Sequence, residues 1–266
     1  MPSLTSSLIH SLPIPLLSAT QHPFLTAAAQ STLPLPSLIA WLAQDRLYLL
    51  AYVNFIGTIL SRLPLSGGAD REQSLEWRVA EVCIDALEMA KRELRLIEET
   101  ARAEGWEGDV VDVRAGKETR AYQDLFVGAA APNRPLIVAL VALWGTEECY
   151  LRSWKYAATK MDLSLKAKDK DVMQRVFIPN WSSGEFEAFV RRVGGLVNKF
   201  GAGIEEGGWE WEECEEVWRQ LLWAEKAFWP DVGGDEEPKK DSKKQANKEV
   251  TFGDGSKNGS ADGGSK

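Results

Sequence analysis

The chain has 266 residues, 44% hydrophobic and 26% charged, enough to bury a full core in one domain with appendages. A net charge of -8 and a pI near 5.1 argue against a nucleic-acid binder, since the fold-like region carries no basic stripe. Three widely separated cysteines, Cys83, Cys149 and Cys214, fit a reducing, cytoplasmic setting better than a disulfide framework.

In chain order, the first segment is apolar in patches, broken by Pro2, Pro13, Pro15 and Pro23, and has no early Lys or Arg. It offers no secretory signal, and residues 1–19 read as an N-terminal extension. Apolar spacing from Pro36 to Leu63 predicts a helix that enters at Pro-Ser and ends at Pro64. Asp70 is expected to cap a long helix running to about Glu104, stopped by Gly105. Segment 107 to 117 reads as a loop. A shorter helix is expected around Glu118 to Ala130 and an apolar one over about 135 to 159. The apolar run Pro135 to Trp144 is about half of the roughly 20 residues a membrane span needs. Residues 160 to 176 are polar and lysine-rich. A Ser-capped helix follows from Ser183 to about Phe200, and a last one runs from about Trp209 to Trp229. From Gly233 the composition cannot offset its own ordering entropy, so 233–266 reads as a disordered polar tail. The expectation is an all-α bundle of about seven helices over 20–232.

Four features interrupt the apolar pattern. Trp41, Asp45 and Tyr48 share one side of the first long helix, and Leu38, Leu42, Leu49 and Tyr52 make that surface apolar. Asp45 therefore faces inward, where an unpaired carboxylate costs several kcal/mol, and something polar on the protein or on a ligand must meet it. Arg46 points about 100° away around the helix and is a poor partner. Tyr122 opens the short helix. Glu147 and Glu148 follow Leu143-Trp144, and Glu225 stands among Leu221, Leu222, Trp223, Phe228 and Trp229. Taken singly, these glutamates are more often solvated face residues, and the tyrosines more often core aromatics. Eleven tryptophans, among them Trp41, Trp144, Trp181, Trp223 and Trp229 beside the acids, would wall a flat ligand or simply fill a core.

His10 and His22 give no metal-ligand spacing, and no glycine-rich phosphate loop is present. Cys149 is turned roughly 200° from Glu147 and should not share a pocket with it. Cys83 and Cys214 read as buried spectators.

His22-Pro23-Phe24-Leu25, Leu33 and Trp41-Leu42-Ala43-Gln44-Asp45-Arg46-Leu47-Tyr48 resemble the opening of the TenA (thiaminase II) family. Ala121-Tyr122, Leu143-Trp144-Gly145-Thr146-Glu147-Glu148-Cys149-Tyr150 and Glu225-Lys226-Ala227-Phe228-Trp229 resemble its later motifs in the right order, over residues 20 to 230. The resemblance implies a haem-oxygenase-like bundle with a central cavity for an aminopyrimidine of thiamin salvage. It implies that Asp45 holds the ring, that Tyr48, Tyr122, Trp144 and Trp181 line the pocket, and that Glu225 stands beside the reacting carbon or nitrogen. No thiol matches the cysteine nucleophile of the better-known branch. The chain is similar instead to the branch in which a Trp-x-x-Glu-x-x-Tyr motif supplies a glutamate, matched by Trp144, Glu147 and Tyr150. Paired glutamates, Glu147 and Glu225, are then the expected acid and base of an N-formylamino- or aminomethyl-pyrimidine hydrolase. The rival is a non-catalytic pyrimidine-binding or regulatory scaffold of the same fold. No cofactor, metal, membrane or nucleic-acid partner is expected, and assembly into a homo-oligomer is. Haem oxygenase activity is disfavoured, because neither histidine falls at a ligating place on a core helix.

Overall fold

A computed structural model of the chain describes residues 2–232. The tail expected to be disordered, 233–266, lies outside them. The described residues form helices and no strand: α1 (Leu4–Ser11), α2 (Pro13–Thr20), α3 (Pro23–Ala29), α4 (Leu35–Arg62), α5 (Leu75–Glu104), α6 (Glu107–Val111), α7 (Lys117–Ala129), α8 (Leu136–Lys160), α9 (Ile178–Trp181), α10 (Gly184–Phe200) and α11 (Trp209–Phe228). The six longest, α4, α5, α7, α8, α10 and α11, carry the bundle.

The prolines that fragment the N-terminal pattern start helices there instead of preventing them. Pro13 and Pro23 occupy first helical positions, where a missing N–H costs nothing. Leu4, Leu8 and Leu16 of α1 and α2 are buried in the same core as the later helices. Ser74, and not Asp70, caps α5: its hydroxyl accepts from Trp77 N at 3.2 Å, while Asp70 precedes a separate 3-10 turn at Arg71–Gln73. Gly105 ends α5 in the left-handed conformation at φ 80°, as a glycine stop requires. The segment expected as a loop after it contains α6, whose Val110 is fully buried.

Helix α8 is the centre of the fold. Ile137 through Thr146 are all buried, so this stretch faces protein on every side, which explains an apolar run without helical periodicity. Gly145 lets α11 approach: a Cβ there would lie 3.0 Å from Leu221 Cδ1 and 3.1 Å from Trp218. Past Thr146 the helix turns polar, and Glu147 and Tyr150 emerge from the core toward α4 and α5.

Most of the tryptophans are core. Trp41, Trp154, Trp181 and Trp229 form one aromatic cluster, with Trp154 and Trp181 centroids 4.6 Å apart. Trp223 is 63% exposed and walls nothing.

Candidate active site

Helices α4, α5, α8, α9 and the start of α10 line a cavity of about 250 Å³. Helix α4 contributes Asp45, Tyr48 and Tyr52, a stripe at helical spacing; α5 contributes Met89 and Glu93; α8 contributes Glu147 and Tyr150; α9 contributes Asn180 and Trp181. The wall therefore carries four acids, Asp45, Glu93, Glu147 and, at the start of α10, Glu185, together with Arg92 of α5.

Asp45 is 3% exposed, and Tyr150 Oη donates to its Oδ2 at 3.3 Å. Burial, then the neighbouring charge of Glu93, pushes its pKa up to about 8, against the pull of the Tyr150 hydrogen bond. Arg46 turns away, as its helical position dictates, and pairs with Glu98 at 2.7 Å. Among the described residues no Lys or Arg forms an ion pair with Asp45, Glu93, Glu147 or Glu225; the nearest candidates in sequence pair elsewhere, Arg92 with Glu185 and Arg152 with Glu148.

Glu147 accepts a very short hydrogen bond from the Tyr52 hydroxyl. Burial pushes its pKa up to about 7, with Tyr52 opposing and Glu93 adding to the rise. Its neighbour Glu148 points outward to Arg152 at 2.6 Å, so the surface reading holds for that acid. Cys149 is fully buried outside the wall, and burial raises its thiol well above the ordinary range.

Glu225 is 4% exposed but does not line the cavity. It accepts from Tyr122 Oη at 2.7 Å; Tyr122 Oη lies 3.1 Å from Thr146 Oγ1, which lies 2.7 Å from Tyr48 Oη. Only Tyr48 of this chain reaches the wall. Glu225 and Tyr122 thus stand one hydrogen-bonded layer behind the position the resemblance implies, because α11 packs on the far side of α8 and α7. Burial pushes the Glu225 pKa up to about 8, with Tyr122 pulling it down and Asp45 and Glu147 adding to the rise.

Trp144 also departs from its expected place. Its turn of α8 points away from Thr146, and it stacks on Trp218 with centroids 5.3 Å apart and its Nε1 against Gly194. Trp181 lines the cavity, its Nε1 donating to Glu93 Oε2 at 2.7 Å.

Sequence reasoning missed Glu93 and Tyr52. Glu93 carries the same signal as Asp45, since Met89, Ala90, Leu96 and Ile97, its neighbours at three and four residues, are all apolar. The adjoining Lys91, Arg92 and Arg95 hid that signal in a stretch that reads as a solvated face.

The cavity in this all-helical bundle is walled by aromatics and by acids of which Asp45, Glu93 and Glu147 form no ion pair, and its size suits a small molecule. The chain belongs to the TENA/THI-4/PQQC family, whose model matches residues 15–234. It is 24% identical over 280 residues to a Fusarium pseudograminearum (strain CS3096) protein named "Probable transcription factor", covering 93% of this chain and 56% of that one. It is 25% identical over 150 residues to a Glycine max "Probable bifunctional TENA-E protein", covering 52% of this chain and 56% of that one. The chain thus spans about half the length of the curated relatives it matches. Among solved structures it resembles a TenA homologue from Pyrococcus furiosus, with TM-score 0.69 and 20% identity over 85% of this chain and 98% of that one. A TenA homologue from P. horikoshii OT3 gives TM-score 0.66 and 18% identity, over 86% and 97%. The fold is the haem-oxygenase-like helical bundle of TenA homologues. Among the described residues, no helix is long and apolar enough to cross a membrane, and no group of three or more His, Cys, Asp or Glu could hold a metal ion.

Proposed function

We propose that the chain is a hydrolase of thiamin-salvage aminopyrimidines, converting an N-formylamino- or aminomethyl-pyrimidine to the hydroxymethyl-pyrimidine. The observation that carries this reading is Asp45, a buried carboxyl on a cavity wall whose protein partner is a single 3.3 Å hydrogen bond. An amidine-like ring edge offers one acceptor and one donor side by side. A carboxyl with a pKa of about 8 meets both, giving its proton to the ring nitrogen and accepting from the amino group.

The reaction on the aminomethyl compound forms a bond from water oxygen to the exocyclic carbon, breaks the carbon–nitrogen bond and releases ammonia. Glu147, with a pKa of about 7 in the wall, takes the proton of the attacking water. Glu225, with a pKa of about 8, is mostly protonated at neutrality and acts through the hydroxyls of Tyr122, Thr146 and Tyr48. When Glu225 is ionised, each hydroxyl points its proton toward it and Tyr48 offers the cavity a lone pair. When Glu225 is protonated the chain reverses, and Tyr48 offers a proton to a departing nitrogen that is uncharged, as in the free-base amine or the acylated compound. Two carboxyls set to two roles by their surroundings suit acid and base work at one pH. The sequence lacks the cysteine nucleophile, which supports a glutamate branch over a covalent one, in line with the printed name of the soybean relative.

The reading includes a cytoplasmic homo-oligomer built on the helical domain, whose core takes in α1 and α2 of the expected extension 1–19 as well as 20–232, with no cofactor. A second reading, a non-catalytic pyrimidine-binding or regulatory scaffold, draws on Glu225 standing behind the wall and on the name of the Fusarium relative. Turnover of both compounds by the purified protein, by Glu147→Gln and by Glu225→Gln separates the two. Loss of turnover in the variants supports the hydrolase; binding without turnover in the wild type supports the scaffold; undiminished turnover in both variants overturns the assigned chemistry.

A further inference from the structure

Glu93 lines the cavity, yet nothing in the reaction above uses it. Its Oε1 accepts from Asn180 Nδ2 at 2.8 Å and its Oε2 from Trp181 Nε1 at 2.7 Å. Asp45 and Glu147 are differently served: each accepts from one tyrosine hydroxyl. Two N–H donors, one on each oxygen, favour the ionised form and leave each oxygen a lone pair toward further donors. Burial raises the Glu93 pKa, while Asn180, Trp181 and Arg92 pull it back. Arg92 lines the cavity too, but its guanidinium pairs with Glu185 at 3.1 Å, and Glu93 forms no ion pair within the protein.

A ligand with a single polar edge satisfies Asp45 and leaves the Glu93 charge unmatched. A ligand with a second, basic group satisfies both. We propose that Glu93 is a specificity-determining residue that holds the charged exocyclic amine of the ring, so that the cavity prefers the free aminomethyl compound to its N-acylated counterpart. The inference rests on the reading that the ring sits on Asp45. An ammonium supplies three donors to the Glu93 oxygens, which can only accept. Acylation removes the charge, leaves one N–H and sets a carbonyl oxygen against carboxylates, acceptor facing acceptor.

A purely structural role, in which Glu93 clamps Trp181 and Asn180, predicts equal losses for both ligands when it is changed. Calorimetric titration of aminomethyl- and N-formylaminomethyl-pyrimidine into protein with residue 93 wild type and into Glu93→Gln, both carrying Glu147→Gln to prevent turnover, distinguishes these. The protein with Glu93 prefers the amine at least about tenfold, one charge-assisted bond's worth, and Glu93→Gln removes most of that preference while formyl-compound affinity stays within about threefold. Asn180→Ala keeps the carboxylate and so keeps the preference, even where overall affinity drops. A check that needs no change at residue 93 uses the ring bearing a neutral hydroxymethyl group, which binds the protein with Glu93 at least about tenfold more weakly than the amine. Equal affinity of the protein with Glu93 for amine and neutral ligands, or equal losses for amine and formyl compounds in Glu93→Gln, overturns the proposal. Because the readout is binding, a shifted ratio in a protein whose wild type turns over neither compound upholds Glu93 while the hydrolase reading falls. Binding of neither compound overturns both.

Discussion

The Tyr122 hydroxyl donates to Glu225 Oε1 at 2.7 Å, and this bond is the first link between a carboxyl outside the cavity and a hydroxyl on its wall. Replacing Tyr122 by Phe leaves Glu225 buried without that donor, at a cost of about 1 to 3 kcal/mol. The Glu225 pKa rises further, since Tyr122 lowers it. Urea unfolding at pH 7 should show the loss, and turnover should fall although Tyr122 does not line the wall.

Glu147→Gln keeps the shape and the acceptor for Tyr52 but cannot take a proton from water. Turnover should fall by about 10²- to 10⁴-fold, the usual worth of a positioned base. Ligand affinity should change little, so the loss falls on kcat and not KM in steady-state kinetics.

Asp45→Asn should separate stability from function. It removes a buried acid that the fold holds unpaired by any cation, so the ligand-free protein should be at least as stable as the wild type at pH 8. An aminopyrimidine at a hundredfold excess over its Kd stabilises the wild type by about 2.7 kcal/mol. The same concentration should leave the melting temperature of Asp45→Asn unmoved.

The buried carboxyls of the wall and of the layer behind it also dictate how stability depends on pH. Asp45, Glu147 and Glu225 have folded pKa values near 8, 7 and 8 against ordinary values of 3.8, 4.5 and 4.5. Between these limits the folded chain holds more protons than the unfolded one, so the stabilisation is complete below the ordinary values and is lost as pH rises through the folded ones. Each such group contributes a slope of up to about 1.4 kcal/mol per pH unit. Unfolding midpoints should fall from about pH 5 to pH 8, and Glu147→Gln should flatten the fall.

Gly145→Ala tests the α8–α11 packing behind the site. Its Cβ would stand 3.0 Å from Leu221 and 3.1 Å from the Trp218 ring, both fully buried. Overpacking of this kind costs about 1 to 3 kcal/mol, readable as a lower denaturation midpoint.

Helix existence was legible from the sequence because apolar spacing, proline and glycine punctuation and serine caps act locally. Where two signals competed, as with Asp70 and Ser74 before α5, the nearer serine took the cap. Asp45 was legible because an acid among apolar neighbours is costly wherever the helix packs. Glu93 has the same neighbours but sits between basic residues that mask the pattern. The removal of Trp144 from the wall, and the placing of Glu225 behind it, were not legible, since both depend on how α11 packs against α7 and α8. No periodicity within one helix encodes that.

The most direct measurement is a crystal structure of the protein with an aminomethyl-pyrimidine bound, obtained with Glu147→Gln to prevent turnover. The account predicts the ring's amino group and adjacent nitrogen at about 2.7 to 3.2 Å from the two Asp45 oxygens, with the exocyclic carbon turned toward residue 147. A ring bound away from Asp45, or with that carbon facing away from residue 147, would contradict it.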